Sequence, residues 1–438
     1  MYNFSRAALL NRIGLSPSKK LLVFFISAVV VTIPLGYVYN SIAIILFVLY
    51  SFLSARGKDF RFNFALIVPI LLFGLMALSV VWTRDTKSSI MALSKEASLL
   101  FIPIAFSLAR ALARRHVNSV LSNFSMAMCL YGLYFVGRAI VQYYNTGDPG
   151  VFFYHEFATV EINAVYLSAL FSLSLFYYIS KPKRNLLQNL SLAYIILLVL
   201  LLASKTVIIL DGVCILAYYI FQAGISKKTR VTAIIIITVF AVATAYFGKI
   251  TDRFYQESRI ENNTAGKLAV ADSHCMGMRE AWEMDKFKDT DCFTGLAFRA
   301  YQIRIFTEML QEDPILLTGY GLNASLPEIE RKGREYNVYQ EGCGQHPYNK
   351  MNFHNQYVEA FADLGIIGFL LIIVLIGINL KNAIKTKYFV HIAFAVLMIS
   401  LFLTESFLWR QRGVVFFTTF YCLFNSCLIA GFTDKKEL

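Results

Sequence analysis

Apolar runs of about 17 to 25 residues, the length a bilayer core demands, recur along almost the whole chain. A backbone in hydrocarbon must satisfy its own polar groups, so runs of this length imply helices. They can be read in order at 21–37, 40–54, 64–82, 98–113, 119–142, 162–180, 190–203, 207–223, 231–247, 356–380, 388–406 and 414–432. An even number of crossings returns both termini to one side. Only 16% of the 438 residues are charged, against about 25% in soluble domains. The expected fold is an all-α polytopic membrane protein, with about twelve transmembrane helices and one large, partly helical loop. The opening "MYNFSRAALLNRIGLSPSKK" is basic and weakly apolar, unlike a cleaved signal peptide.

Lys and Arg concentrate on the cytoplasmic side of membrane proteins. One set of connections holds Arg6, Arg12, Lys19 and Lys20, then Arg56, Lys58 and Arg61, then Arg110, Arg114 and Arg115, with further clusters near 181–184, 227–230, 381–387 and 435–436. Short connections on the other side hold Arg84, Lys87, Lys95, Lys205, Arg410 and Arg412. The first set is therefore read as cytoplasmic. This gives three regions: helices over 1–247, an outer loop domain over 248–353, and helices plus a cytoplasmic tail over 354–438. The net charge of +13 is explained by the cytoplasmic edge, because acidic residues outnumber basic ones in the outer loop. A nucleic-acid partner is not expected.

The loop also contains Cys275, Cys292 and Cys343. An oxidising compartment permits one disulfide among them, with one thiol left over. No Gly-rich phosphate loop or nucleotide-binding unit is present, and no internal repeat is visible. Within the loop, "GLAFRAYQIRIFTEMLQEDP" predicts a helix with Arg299, Ile303, Phe306 and Leu310 on one face, stopped at Pro314. A Gly-rich turn, "LLTGYGLNAS", and a short charged helix, "SLPEIERKGREYNVY", follow.

Cations near hydrocarbon are costly and tend to mark function. Lys205, Arg138, Arg410 and Arg412 lie at or near the outer edge, where cations should be few. Snorkelling to lipid phosphates explains any one of them; together they suggest a bound anion. Arg299 carries a planar fork suited to phosphate, although a solvated helix flank is the plainer reading. His354 and Asn355 open "HNQYVEAFADLGIIG", where His354 either caps the helix or shuttles a proton near neutral pH. Gly365 and Gly368 suit close helix packing. Glu405 and Glu156 are alternative bases, and His346 is a further loop candidate. Tyr143, Tyr144, Phe152, Phe153 and Tyr154 either stack on sugars or form an interfacial aromatic belt.

The His354-Asn355 pair, followed after nine residues by Gly365-x-x-Gly368, resembles the signature of the O-antigen ligase and polymerase superfamily. The long outer loop before it, with an Arg-bearing helix and a Pro–Gly-x-Gly turn, fits the same layout over roughly 160–432. The resemblance implies a GT-C-like glycosyltransferase using an undecaprenyl-diphosphate-linked glycan, with its site on the periplasmic face of the bacterial inner membrane. It implies inverting transfer without metal or cofactor. His354 matches the essential His and Arg299 the loop Arg. Lys205 stands where ligases typically have Arg, a departure that keeps the charge and loses the fork. Arg138, Arg410, Arg412, Asn355, Glu405 and Glu156 complete the expected substrate-binding set. Lipid A-core oligosaccharide is the favoured acceptor, since a basic outer rim suits a phosphorylated core. Polymerisation of repeat units, transfer to protein and, from another class, transport of a lipid-linked glycan are the alternatives.

Overall fold

The computed structural model describes residues 17–55, 63–159, 162–221, 274–288, 291–338 and 348–426. Helices occupy eleven of the twelve expected segments, and 231–247 lies outside the described residues. Among the described residues, four helices are long and apolar enough to cross a membrane by length and composition: Tyr37–Ser54, Thr86–Leu108, Arg114–Thr146 and Gln356–Thr386. Shorter apolar helices span Phe64–Ser79, Ala164–Ser180, Leu186–Leu201 and Phe389–Thr404. The segment Thr86–Glu96, not among the expected spans, is a helix capped by Asp85, whose carboxylate accepts from Ser88 N.

Two helices are buried almost all round, Ala164–Ser180 and Gln411–Ser426. A helix without a polar face belongs inside a bundle, and both are surrounded accordingly. Ala164–Ser180 packs against Arg114–Thr146, Leu186–Leu201, Lys205–Phe221 and Phe389–Thr404. Gln411–Ser426 packs against Ser98–Leu108. Close approach is helped at Gly132, where an added Cβ would lie 2.4 Å from Leu198 Cδ1.

A second buried core forms among residues 276–362. Met276, Phe287, Phe298, Tyr301, Ile305, Met309, Tyr320, Ile329 and Phe353 are among its buried members. A short parallel pair, His274–Met276 with Asp291–Phe293, adds a minor β element to the otherwise helical fold. Cys292 is disulfide-bonded, to a cysteine outside the residues whose side chains are described. The helix Gly295–Glu312 ends before Pro314, as expected, but its face is rotated from the expected one. Phe298, Tyr301, Gln302, Ile305 and Met309 are buried, while Ile303 is exposed. The aromatic residues at 298 and 301 win the core over the aliphatic at 303, leaving Arg299 at the edge of the buried stripe.

The Gly-rich turn at 316–325 enters the long helix Gln356–Thr386 through a break in it. Gly365 has φ 67° and ψ −166°, so this element is two helices joined at a kink. The freed backbone groups find partners in the Gly-rich turn. Ile366 N donates to Leu316 O, Tyr320 N to Ala362 O and Gly321 N to Asp363 O, each at 2.8 Å. Buried backbone polar groups freed by a helix break need such replacement bonds. Gly365 therefore permits a chain break that receives a loop, rather than the helix-on-helix contact expected from its spacing. The Asp363 carboxylate then accepts from Asn323 N and Ser325 Oγ, both at 2.7 Å, which fixes the turn.

Candidate functional site

The helix Gln356–Thr386 begins where the helix Phe389–Thr404 ends, and their terminal residues form the site. Asn355 is the N-cap: its Oδ1 accepts from Tyr357 N at 3.0 Å and Val358 N at 3.2 Å. Its Nδ2 donates to Leu403 O at 3.3 Å, joining the two helix ends. With capping assigned to Asn355, His354 stands one residue outside the helix. Its φ of +48° lies in the left-handed region, which costs about 1 kcal/mol or more for a residue with a Cβ. Its backbone N–H donates to Asn352 Oδ1 at 3.2 Å.

Among the described residues, the imidazole of His354 is hydrogen-bonded through Nδ1 only. Nδ1 lies 3.1 Å from Glu405 Oε2, and the ring meets Phe298 edge-on at 5.5 Å between centroids. Nε2 has no hydrogen-bond partner among the described residues, and the side chain is 26% exposed. A carboxylate at Nδ1 selects the tautomer that leaves Nε2 as the proton acceptor.

Glu405 lies one residue beyond the helix Phe389–Thr404 and is largely buried. Burial is the largest influence on its carboxyl and pushes the pKa up. The charge and hydrogen bond of His354, with the charges of Arg299 and Arg410, outweigh it and hold the carboxyl below the ordinary glutamate value. Arg299 Nη2 is 3.6 Å from Glu405 Oε1. The Arg299 Nε and Nη2 both donate to Thr404 O, at 3.0 and 2.7 Å, and Nη1 donates to Gly295 O at 2.8 Å. Thr404 O is one of the carbonyls a helix leaves unpaired at its C-terminus, where a cation is favoured. Arg299 thus joins the helix Gly295–Glu312 to the end of the helix Phe389–Thr404, beside the pair.

The other expected cations divide by what holds them. Arg410 is exposed, with its guanidinium carbon 5.9 Å from the centre of the Tyr166 ring. It makes no hydrogen bond to protein among the described residues. Tyr166 stacks on Phe407 at 4.5 Å and donates to the carbonyls of Ser406 and Phe407, fixing the short strap that carries both Glu405 and Arg410. Arg412 is buried, donates to Leu35 O at 3.0 Å and lies over Tyr37. Arg138 donates to the carbonyls of Glu156, Phe157 and Ala158. Glu156 is exposed, and no hydrogen bond or ion pair joins it to His354 among the described residues.

Lys205 opens the helix Lys205–Phe221 and is half-buried. The far end of that helix meets the start of Phe389–Thr404 through Tyr218 and Phe389. Lys205 therefore lies at the end of the bundle where Glu405 lies. Tyr143 and Phe152 form a separate ring contact at 5.7 Å. His346 falls outside the described residues.

Sequence reasoning missed Glu359, Gln356 and Ser406. Glu359 Oε2 accepts from Phe353 N at 3.1 Å and from Ser406 Oγ at 2.8 Å. Gln356 Oε1 accepts from Leu408 N at 2.6 Å. The available signal was an acid and an amide in the first turn of a helix entering lipid, which need buried partners. The identity of those partners depends on the tertiary fold.

Residues 190–373 match the family model for O-antigen ligase. The match supports the O-antigen ligase and polymerase superfamily for this chain. It contains Lys205, Arg299, His354 and Asn355, while Glu405 and Arg410 lie beyond it. No curated protein matches the sequence.

Proposed function

Taking the O-antigen ligase family match as premise, we propose that the protein is an O-antigen ligase-type glycosyltransferase. It moves a glycan from undecaprenyl diphosphate to a hydroxyl of lipid A-core oligosaccharide. The observation that carries this reading is the ring of His354, paired with Glu405 through Nδ1 and without a partner at Nε2 among the described residues, beside the cations Arg299 and Arg410.

In this reading His354 Nε2 takes the acceptor hydroxyl's proton. The acceptor oxygen bonds to the anomeric carbon from the face opposite the leaving group. The bond from that carbon to the diphosphate oxygen breaks, and its electron pair leaves with undecaprenyl diphosphate, so configuration inverts. Glu405 orients the imidazole and stabilises the imidazolium, as a carboxylate does for a catalytic His. Arg410 and Lys205 stabilise the negative charge gathering on the diphosphate, which fixed cations in a low-dielectric cleft do better than water. Arg299 holds Thr404 and Glu405 in register and keeps an N–H for phosphate. Arg138 and Arg412 are assigned to the fold, because both hold backbone carbonyls.

The proposed arrangement has twelve spans in the inner membrane, both termini in the cytoplasm and the 248–353 loop in the periplasm. Helices over 1–247 and 354–438 form the membrane part. Purified protein supplied with undecaprenyl-diphosphate-linked glycan and lipid A-core should join them, with release of undecaprenyl diphosphate. Extension of the carrier-linked glycan by further repeats would identify a polymerase, and glycan on protein a protein-directed transferase.

A further inference from the structure

The two residues that meet at the site come from segments 51 positions apart in sequence, yet a single buried side chain touches the neighbour of each. Glu359 Oε2 accepts from the backbone N–H of Phe353, which precedes His354, at 3.1 Å. The same oxygen accepts from the hydroxyl of Ser406, which follows Glu405, at 2.8 Å. Glu359 and Ser406 are 3% and 2% exposed, so water does not compete for these bonds. Three residues before Glu359, on the same helix face, Gln356 accepts from Leu408 N in the same strap. The first turn of the Gln356–Thr386 helix therefore holds the 406–408 strap from beneath.

We propose that Glu359, acting through Ser406, is a positioning residue that sets the separation of His354 and Glu405. The left-handed backbone at His354 needs such a restraint, since a strained conformation persists only when its surroundings over-determine it. The strap has the same need. Its residue 407 passes so close to Gly413 that an added Cβ there would lie 1.9 Å from Phe407 O, leaving no room for a displaced path. Glu359 reaches neither the imidazole nor the Glu405 carboxylate, so its influence passes through the two chain segments.

The catalytic consequence rests on the proposed transferase reading, whereas the geometry does not, and two readouts separate them. The first is glycan transfer. Glu359→Leu and Ser406→Ala should lower kcat, the latter by about tenfold, with the donor KM little changed, because loss of alignment falls on the chemical step. Glu359→Gln keeps an oxygen able to accept both bonds and should recover most of the kcat lost in Glu359→Leu. The second readout is the rate at which diethyl pyrocarbonate modifies His354, followed by mass spectrometry of the full-length protein. Loosening the pair should speed modification severalfold in Ser406→Ala and Glu359→Leu, with Glu359→Gln close to wild type. Ser406→Ala removes only a hydroxyl and keeps the test open if Glu359→Leu does not fold. Unchanged His354 reactivity in Ser406→Ala, or Glu359→Gln as impaired as Glu359→Leu, overturns the proposal. Wild-type protein that transfers no glycan would instead defeat the functional reading, and the reactivity measurement would still decide the clamp.

Discussion

His354 Nδ1 lies 3.1 Å from Glu405 Oε2, and this pair gives the imidazole a fixed direction. The functional reading assigns proton removal to the opposite nitrogen. His354→Ala should therefore lower transfer by about 10²–10⁴-fold, the usual range for a general base. Membrane insertion and donor binding should persist, because the ring is partly exposed and the cations are untouched. Equilibrium binding of the lipid-linked donor beside initial rates checks both halves. Loss of donor binding would recast His354 as a ligand of the leaving group.

Glu405 supplies a prediction in pH. Its folded value is depressed, so its ionised form stabilises the native state above the ordinary glutamate pKa, and this contribution is lost as pH falls through the lowered value. The pairing should survive mild acid, with carboxylate loss placed below the ordinary glutamate range. Glu405→Gln removes the charge and retains an acceptor oxygen. Its kcat should fall, with donor KM less affected. A full rate in Glu405→Gln would show that geometry alone suffices.

The loop domain has its own test in Lys332, which is 1% exposed yet contacts Glu308 at 3.0 Å and Glu312 at 2.5 Å. Burial is the largest influence on Lys332 and lowers its pKa, but bonds and charge from Glu312 and Glu308 outweigh it, so the value is raised. That contribution is present below the unfolded lysine value and lost as pH rises through the folded one. The pKa values of Glu308 and Glu312 are lowered, so their contribution is present above the unfolded glutamate value and lost as acid titrates them. The contribution of this network to the stability of the detergent-solubilised protein should be flat between about pH 5 and pH 10 and fall on both sides. Lys332→Ala should cost about 2 kcal/mol, less than a fully buried pair because its partners are partly exposed. An unchanged melting temperature in Lys332→Ala would remove the network from the stability account.

Much of the helical pattern was legible because hydropathy is summed over many residues and survives local error. The helix Gly295–Glu312, the stop before Pro314 and the placing of His354 beside a helix start follow from short-range rules. Gly365 shows where such rules run out. Its spacing to Gly368 fits a packing face, and only the tertiary fold reveals that Leu316 and Ile366 share a backbone bond across a break. The Glu405 partnership with His354 was likewise out of reach, since residues 51 apart carry no local sign of contact. Nor does sequence show what holds each cation: Arg138 and Arg412, ligand candidates in sequence, donate to backbone carbonyls in the fold.

The break at Gly365 yields a contrast between two glycines of one helix. A Cβ at Gly365 would sit 2.3 Å from the Leu317 carbonyl carbon in a left-handed conformation, whereas nothing lies within 4 Å of one at Gly377. Gly365→Ala should destabilise by more than about 3 kcal/mol, as overpacking combined with backbone strain does. Gly377→Ala should be neutral or stabilising by up to about 1 kcal/mol, since alanine is the better helix former. Folded yield by fluorescence-detected size exclusion checks the pair. Normal yield of Gly365→Ala would mean that the loop does not enter the helix at that point.

Arg410 is the most discriminating of the cations. Arg138, Arg299 and Arg412 each donate to backbone carbonyls, so removing any of them disturbs the fold as well as the site. Arg410 is exposed beside Glu405 and rests over Tyr166 without hydrogen-bonding to protein among the described residues. Arg410→Ala should therefore leave folded yield unchanged while raising the donor KM by about tenfold, the loss of one charge-assisted contact of roughly 1.5 kcal/mol. Arg410→Lys should fall between, because it restores charge without the planar fork. Arg138→Ala should show the reverse pattern, with reduced folded yield and a near-normal donor KM in whatever folds. If Arg410→Ala binds donor as wild type does, the diphosphate is held without Arg410, and Lys205 becomes the cation on which the anion site depends.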